Sequence, residues 1–172
     1  DSSQYALRIA QAGLTLPERD YYPGVNIDAE KKFYDGFKKH LKKVLVRVPF
    51  LAENHGDFIQ SILTLEDQLA GVSRTSVALR DIAENYNPHT LSELKKTFPK
   101  CNWDSYFNGL NWVPVGNIII NQPEFIEFVA TSAQNDLQAW KHYLKWQVTI
   151  SLLGAISSEH AKLNFTFFGR LL

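Results

Sequence analysis

Residues 137–156, LQAWKHYLKWQVTISLLGAI, decide the fold class. Leu137, Trp140, Leu144, Val148, Leu152 and Ile156 recur every three or four residues, a spacing that lines one face of a helix and has no counterpart in the period of two that a strand requires. The spacing predicts the longest helix of the chain, near its C-terminal end. The helical pattern extends back to Pro123, a residue suited to a first helical turn. Upstream, Phe33, Phe37, Leu41, Leu45 and Val48 draw a second stripe on a helix starting at Asp28, whose other face carries Lys31, Lys32, Lys38, Lys39, Lys42 and Lys43, with Pro49 as its end. Phe58, Ile62, Leu65, Leu69 and Val72 predict a third helix entered from Gly56 or Asp57.

Shorter elements fill the gaps. Tyr5 to Ala12 is read as a short helix stopped by Gly13. The following stretch to Gly24 holds two prolines and two glycines and is read as an ordered loop. Asn87-Pro88-His89 reads as a turn, and Thr90 with Glu93 forms the sequence signature of a capping box for a helix that ends near Pro99. Trp103, Tyr106, Phe107, Leu110, Trp112 and Val113 supply an aromatic patch around Gly109. The β-branched run from Val115 to Ile120 is the one good strand candidate, and no hairpin partner for it can be picked out. The expected architecture is mainly α: a multi-helix bundle with one long C-terminal helix and at most a minor strand or hairpin, residues 1–172 forming a single helical domain.

Composition narrows the function. With 172 residues, 45% apolar and 13% aromatic, the chain can bury a proper core. Acidic and basic residues balance at 18 each, so no global field draws a nucleic-acid backbone, and no apolar run is long enough to span a bilayer. The lysine-rich helix face reads as a solvated face. The single Cys101 has neither a disulfide partner nor a CxxC mate. The first residues lack a signal-peptide pattern and an initiator methionine, which points to an excised or processed segment.

Chemistry-bearing motifs are scarce. His40, His55, His89, His142 and His160 are scattered, without the His-x-x-x-His spacing that places two imidazoles on one helical face. There is no nucleophile elbow, phosphate loop or EF-hand pattern. Asp81 with Glu84, and Glu124 with Glu127, read as exposed helix carboxylates rather than a catalytic pair. Asn164-Phe165-Thr166 has the form of a glycosylation acceptor but sits in an apolar helical segment. The most distinctive local feature is Arg19-Asp20-Tyr21-Tyr22, an ion pair beside two rings, read as a structural clasp; Arg80-Asp81 invites the same reading.

Gly13-Leu14-Thr15-Leu16-Pro17-Glu18-Arg19-Asp20-Tyr21-Tyr22 closely resembles a sequence block of the neprilysin and endothelin-converting enzyme family of zinc metallopeptidases. Ile62, Leu65, Glu66, Leu69 and Ala70 resemble the family's following helix, and Arg80-Asp81, Tyr86-Asn87 and Thr90-Leu91 with Leu94 continue the likeness. Pro123-Glu124-Phe125, Leu137, Tyr143-Leu144-x-Trp146, Phe165 and Phe168-Gly169 extend it over nearly the whole chain. The resemblance implies a two-lobed, mainly helical peptidase. This segment would be the non-catalytic lobe that restricts access to an internal cavity, and Arg19, Asp20, Tyr21, Tyr22, Arg80, Asp81 and Trp146 would be structural signature residues.

The implied cofactor is zinc, held by residues of a catalytic lobe outside this sequence, with no cofactor in the segment itself. The implied partners are that catalytic lobe of the same parent chain and the peptide substrates of the intact enzyme. The implied location is extracytoplasmic: periplasmic, secreted or membrane-anchored. Gln147 stands where relatives often carry arginine, and the single cysteine contrasts with the disulfide-rich animal members, pointing to a bacterial-type relative. The competing reading is a stand-alone or degenerate helical interaction module without catalysis.

Overall fold

A computed structural model describes residues 6–26, 31–51, 53–113 and 116–172, apart from the side chain of Phe50. Seven α-helices and one small sheet are found among them, a mainly α architecture as expected. The chain divides into two compact units, residues 13–71 with 135–172, and residues 1–12 with 72–134.

The first unit is built from α1 (Lys31–Arg47), α2 (His55–Val72), α6 (Leu137–Ile156) and α7 (Ser158–Phe168). The α1 stripe works as the sequence suggests: Phe37, Leu41, Val44 and Leu45 are sealed from solvent, while Lys31, Lys32, Lys39, Lys42 and Lys43 stay outside. Asp28, the expected start of this helix, lies outside the described residues, and Pro49 opens a 3-10 turn, Pro49–Leu51, just after the helix stops. Phe58 and Ile62 of α2, Trp146 and Leu153 of α6, and Leu163 and Phe167 of α7 complete the core.

Helix α6 forms where the sequence predicts but turns its other face inward. Ala139, Tyr143, Trp146 and Leu153 are buried, whereas Leu137, Leu144, Val148, Leu152 and Ile156 are each between 54% and 59% exposed. The helix is apolar on both sides, so spacing alone does not choose between them; the large indole of Trp146, at 0% exposure, does.

The second unit contains the sheet, with α3 (Leu91–Thr97), α4 (Trp103–Gly109) and α5 (Pro123–Asn135). Strand β3 (Ile118–Ile120) is central, flanked by β1 (Leu7–Ile9) in parallel and β2 (Asn87–His89) antiparallel, with Leu7 opposite Ile118 and Asn87 opposite Ile120. Two expectations are corrected by this sheet. The segment read as an N-terminal helix is strand β1, and Asn87-Pro88-His89 is strand β2 rather than a turn. Pro88 is tolerated because β2 is an edge strand, where a missing backbone N–H leaves no ladder bond unmade. The partners sought for the 118–120 strand are therefore both in this chain, and Val115 lies outside the described residues.

Ile118 and Ile120 pack with Leu94, Phe98, Trp103 and Phe107 in a separate core. The capping box of α3 is formed in full: Glu93 N–H donates to Thr90 Oγ1 at 3.3 Å, and Thr90 N–H donates to Glu93 Oε2 at 2.8 Å.

Candidate functional site

A buried polar constellation sits where the 13–22 loop meets α2 and α6, around Glu66. This carboxyl falls on the apolar side of α2, between Ile62 and Leu69, and is fully buried. Burial of a charge requires compensating donors. Thr15 N–H donates to Oε2 at 3.0 Å, Thr15 Oγ1–H to Oε1 at 2.6 Å, Tyr22 O–H to Oε2 at 2.5 Å, and Gln147 Nε2 lies 3.5 Å from Oε1. Behind these, Trp146 Nε1–H donates to Thr15 Oγ1 at 3.0 Å, and Leu16 N–H donates to Tyr22 Oη at 3.0 Å.

The loop backbone is tied at a second point, because Tyr143 Oη–H and Gln147 Nε2–H both donate to the carbonyl of Gly13, at 2.7 and 2.8 Å. Gly13 has φ +98°, and a Cβ there would collide with Tyr143 Oη, so only glycine fits. Burial raises the Glu66 carboxyl to about 7, opposed by the bonds from Thr15 and Tyr22. Burial, together with Glu66 itself, pushes the phenols of Tyr22 and Tyr143 far above their usual range, so both remain protonated donors.

The signature residues occupy unequal positions. Tyr22 and Trp146 are in the heart of this network. Tyr21 packs edge-on against Phe33, with centroids 5.0 Å apart. Arg19 Nε and Asp20 Oδ1 are 3.9 Å apart, at the limit of an ion pair, and the Asp20 side chain is 55% exposed. Arg80 and Asp81 are exposed in the other unit, where Asp81 Oδ1 accepts from Ala83 N–H at 2.9 Å and Glu84 N–H at 3.1 Å in a local turn. Glu66, Thr15 and Gly13 are the residues sequence reasoning left out of the site. The signal for Glu66 was available: a carboxylate on the buried face of a helix.

Of the carboxylate pairs, Glu124 and Glu127 are held in separate ion pairs. Glu124 takes both Arg74 Nε at 2.5 Å and Nη2 at 3.0 Å, while Arg74 Nη1 donates to the Glu84 carbonyl at 2.9 Å; Glu127 binds Lys100 Nζ at 2.9 Å. His142 Nδ1 is 3.1 Å from Ser61 Oγ, and Gln138 Nε2 donates to His142 Nε2 at 2.8 Å. With Nε2 accepting, the neutral ring carries its proton on Nδ1 and donates to Ser61, the wrong sense for activating a serine nucleophile.

A model of peptidase family M13 matches residues 1–172. The chain belongs to peptidase family M13. Within that family, mouse endothelin-converting enzyme-like 1 (Mus musculus) is 30% identical over 167 residues, which cover 92% of this chain and 21% of the relative. Neprilysin-3 of Drosophila melanogaster is 25% identical, covering 91% of this chain and 21% of the relative. The chain thus spans about a fifth of the length of these curated M13 relatives. Among solved structures, the Mycobacterium tuberculosis zinc metalloprotease Zmp1 in its open state superposes with a TM-score of 0.87 at 22% identity, over 98% of this chain and 26% of that one. Its inhibitor complex gives 0.86 at 21% identity, over 99% and 26%. At 22% and 21% identity, the likeness to the zinc metalloprotease Zmp1 shows a shared fold.

The described donor groups of this M13 segment do not fit a zinc site. Among the described residues no three His, Cys, Asp or Glu side chains converge. His40 is stacked on Phe167 at 4.5 Å, its pKa lowered to about 4 by burial and by Lys43. His89 and His160 are engaged with the Asn87 carbonyl and Ser157 Oγ, at 2.9 and 2.8 Å.

Proposed function

We propose that this chain is the non-catalytic, access-restricting lobe of a neprilysin-like zinc metalloendopeptidase, with zinc and the peptide-cleaving residues supplied by a catalytic lobe of the same parent chain. The observation that carries this reading is the family match over residues 1–172, together with a described donor set in which no three His, Cys, Asp or Glu side chains are placed to hold a metal. In this reading both units belong to one lobe and Arg19, Asp20, Tyr21, Tyr22, Arg80, Asp81 and Trp146 are structural. Peptides are the substrates of the intact enzyme, and its location is extracytoplasmic. No described helix is long and apolar enough to cross a membrane.

The outward face of α6 supports the same reading. Leu144, Val148, Leu152 and Ile156 form a half-exposed apolar row, and completing the burial of each adds on the order of 1 kcal/mol. A surface of that kind asks for a cover. We propose that further chain of the parent provides it.

The test is metal content and peptide hydrolysis, measured on residues 1–172 and on the intact gene product. The expected result is zinc-dependent cleavage by the intact product and neither bound zinc nor cleavage by the segment. Stoichiometric zinc or cleavage in the segment would contradict the reading. An intact product without either would leave the interaction-module alternative in its place.

A further inference from the structure

We infer that the face shared by α1 and α7 seats this protein on a membrane surface that carries anionic lipid headgroups. In a chain of zero formal net charge, α1 gathers six lysines and Arg47 against one acid, Asp35. None of the aromatic residues of α1 is exposed, so within the helix alone the lysines form a solvated face. Packing adds the missing rings. Helix α7 lies antiparallel to α1: Arg47 Nε pairs with Glu159 Oε1 at 3.0 Å at one end, His40 stacks on Phe167 with centroids 4.5 Å apart, and Gly36 meets Leu171 at the other end, where a Cβ would collide with the leucine. Away from that contact α7 exposes Phe165 by 57% and Phe168 by 37%. Lys162 precedes Phe165 by one helical turn, on the same side of α7, and Arg170 Cζ stands 5.7 Å over the Phe165 ring. Glu159, the one acid of α7, is taken up by Arg47, while Lys39, Lys42, Lys43 and Lys162 are in no ion pair among the described residues.

The chemistry of the face selects its partner. Between the helices, Lys39 and Lys43 border a cleft of about 120 Å³ walled by Leu163, Phe167 and Leu171. A cleft of that size admits one ring or the end of an acyl chain, and falls well below the roughly 300 Å³ at which a small-molecule site begins. The rest of the face is open, so the partner is a surface. Its cations are mostly lysines, compact hydrated charges that a fluid layer of phosphates satisfies without a fixed geometry, whereas protein interfaces favour arginine and are depleted in lysine. Its rings are phenylalanines, with no hydrogen-bonding tip to satisfy, and they enter the boundary between headgroups and acyl chains while the lysines stay at the phosphates. Charge gathered on one side of a neutral chain also orients it, turning α1 and α7 towards an anionic layer. The inference rests on this face alone and is independent of zinc and of cleavage.

The test is sedimentation of the intact gene product with vesicles of phosphatidylcholine alone and of equal parts phosphatidylcholine and phosphatidylglycerol, at low and at high salt. Binding to the mixed vesicles only, weakening as salt rises, is the expected result. Lys39→Gln with Lys43→Gln lowers that binding roughly fivefold for each lysine lost at low salt. Phe165→Ser lowers it about tenfold, through the lost burial of the ring. The same loss of charge placed elsewhere, Lys96→Gln with Lys141→Gln, leaves it unchanged. All the substituted side chains are exposed, so the melting temperature is expected to hold in every variant. Equal binding to both kinds of vesicle, binding to neither, or an equal loss in the Lys96 and Lys141 variant would overturn the inference. Undiminished binding of Phe165→Ser would overturn it as well, and displacement of the vesicles by polyglutamate in that variant would assign the face to an acidic protein segment instead.

Discussion

A single phenol separates the deep part of the 13–22 loop from its rim. Tyr22 Oη accepts from Leu16 N–H and donates to Glu66, so Tyr22→Phe strands a buried N–H and removes a donor from a buried carboxyl. A cost of about 1–3 kcal/mol follows. Asp20→Ala removes a long, half-exposed ion pair and is expected to cost under about 1 kcal/mol. Urea unfolding of the two variants checks the order; a loss from Asp20→Ala equal to that from Tyr22→Phe would place the tie at the rim. The sequence block draws attention to the loop and to its Arg-Asp pair, because opposite charges adjacent in sequence are easy to see. Glu66 is 51 residues from Thr15, and that distance is bridged only by the fold.

Among the elements, legibility follows asymmetry. Helix α1 was readable in register because six lysines oppose its apolar stripe, and the Thr90 cap because its two halves lie three residues apart. Helix α6 was readable as a helix but not in its facing, since leucines, valine and isoleucine line the side away from Trp146. Strands β1 and β2 are three residues each, too short to show a period, and β1 acquires its identity only from pairing with β3. The outward α6 face makes its own prediction. In a Cys101→Ser background, Val148→Cys is expected to react rapidly with a thiol reagent in residues 1–172 and much more slowly in the intact gene product. Val46→Cys, on an outward position of α1, is the exposed reference. Equal rates at Val148 in both proteins would show that no further chain covers this face.

At the scale of the molecule, the described residues of this M13 chain assemble two cores, a small sheet and a buried polar cluster around Glu66. Under the proposed function, catalysis belongs to the rest of the parent, and this part governs what reaches it. A wall that restricts access discriminates by size before chemistry. That discrimination is tested most directly by cleavage, by the intact gene product, of one short peptide offered free and offered within an exposed loop of a stably folded carrier protein. Zinc-dependent cleavage of the free peptide with an intact carrier is the expected outcome; cleavage of both at comparable rates would contradict an access-restricting lobe.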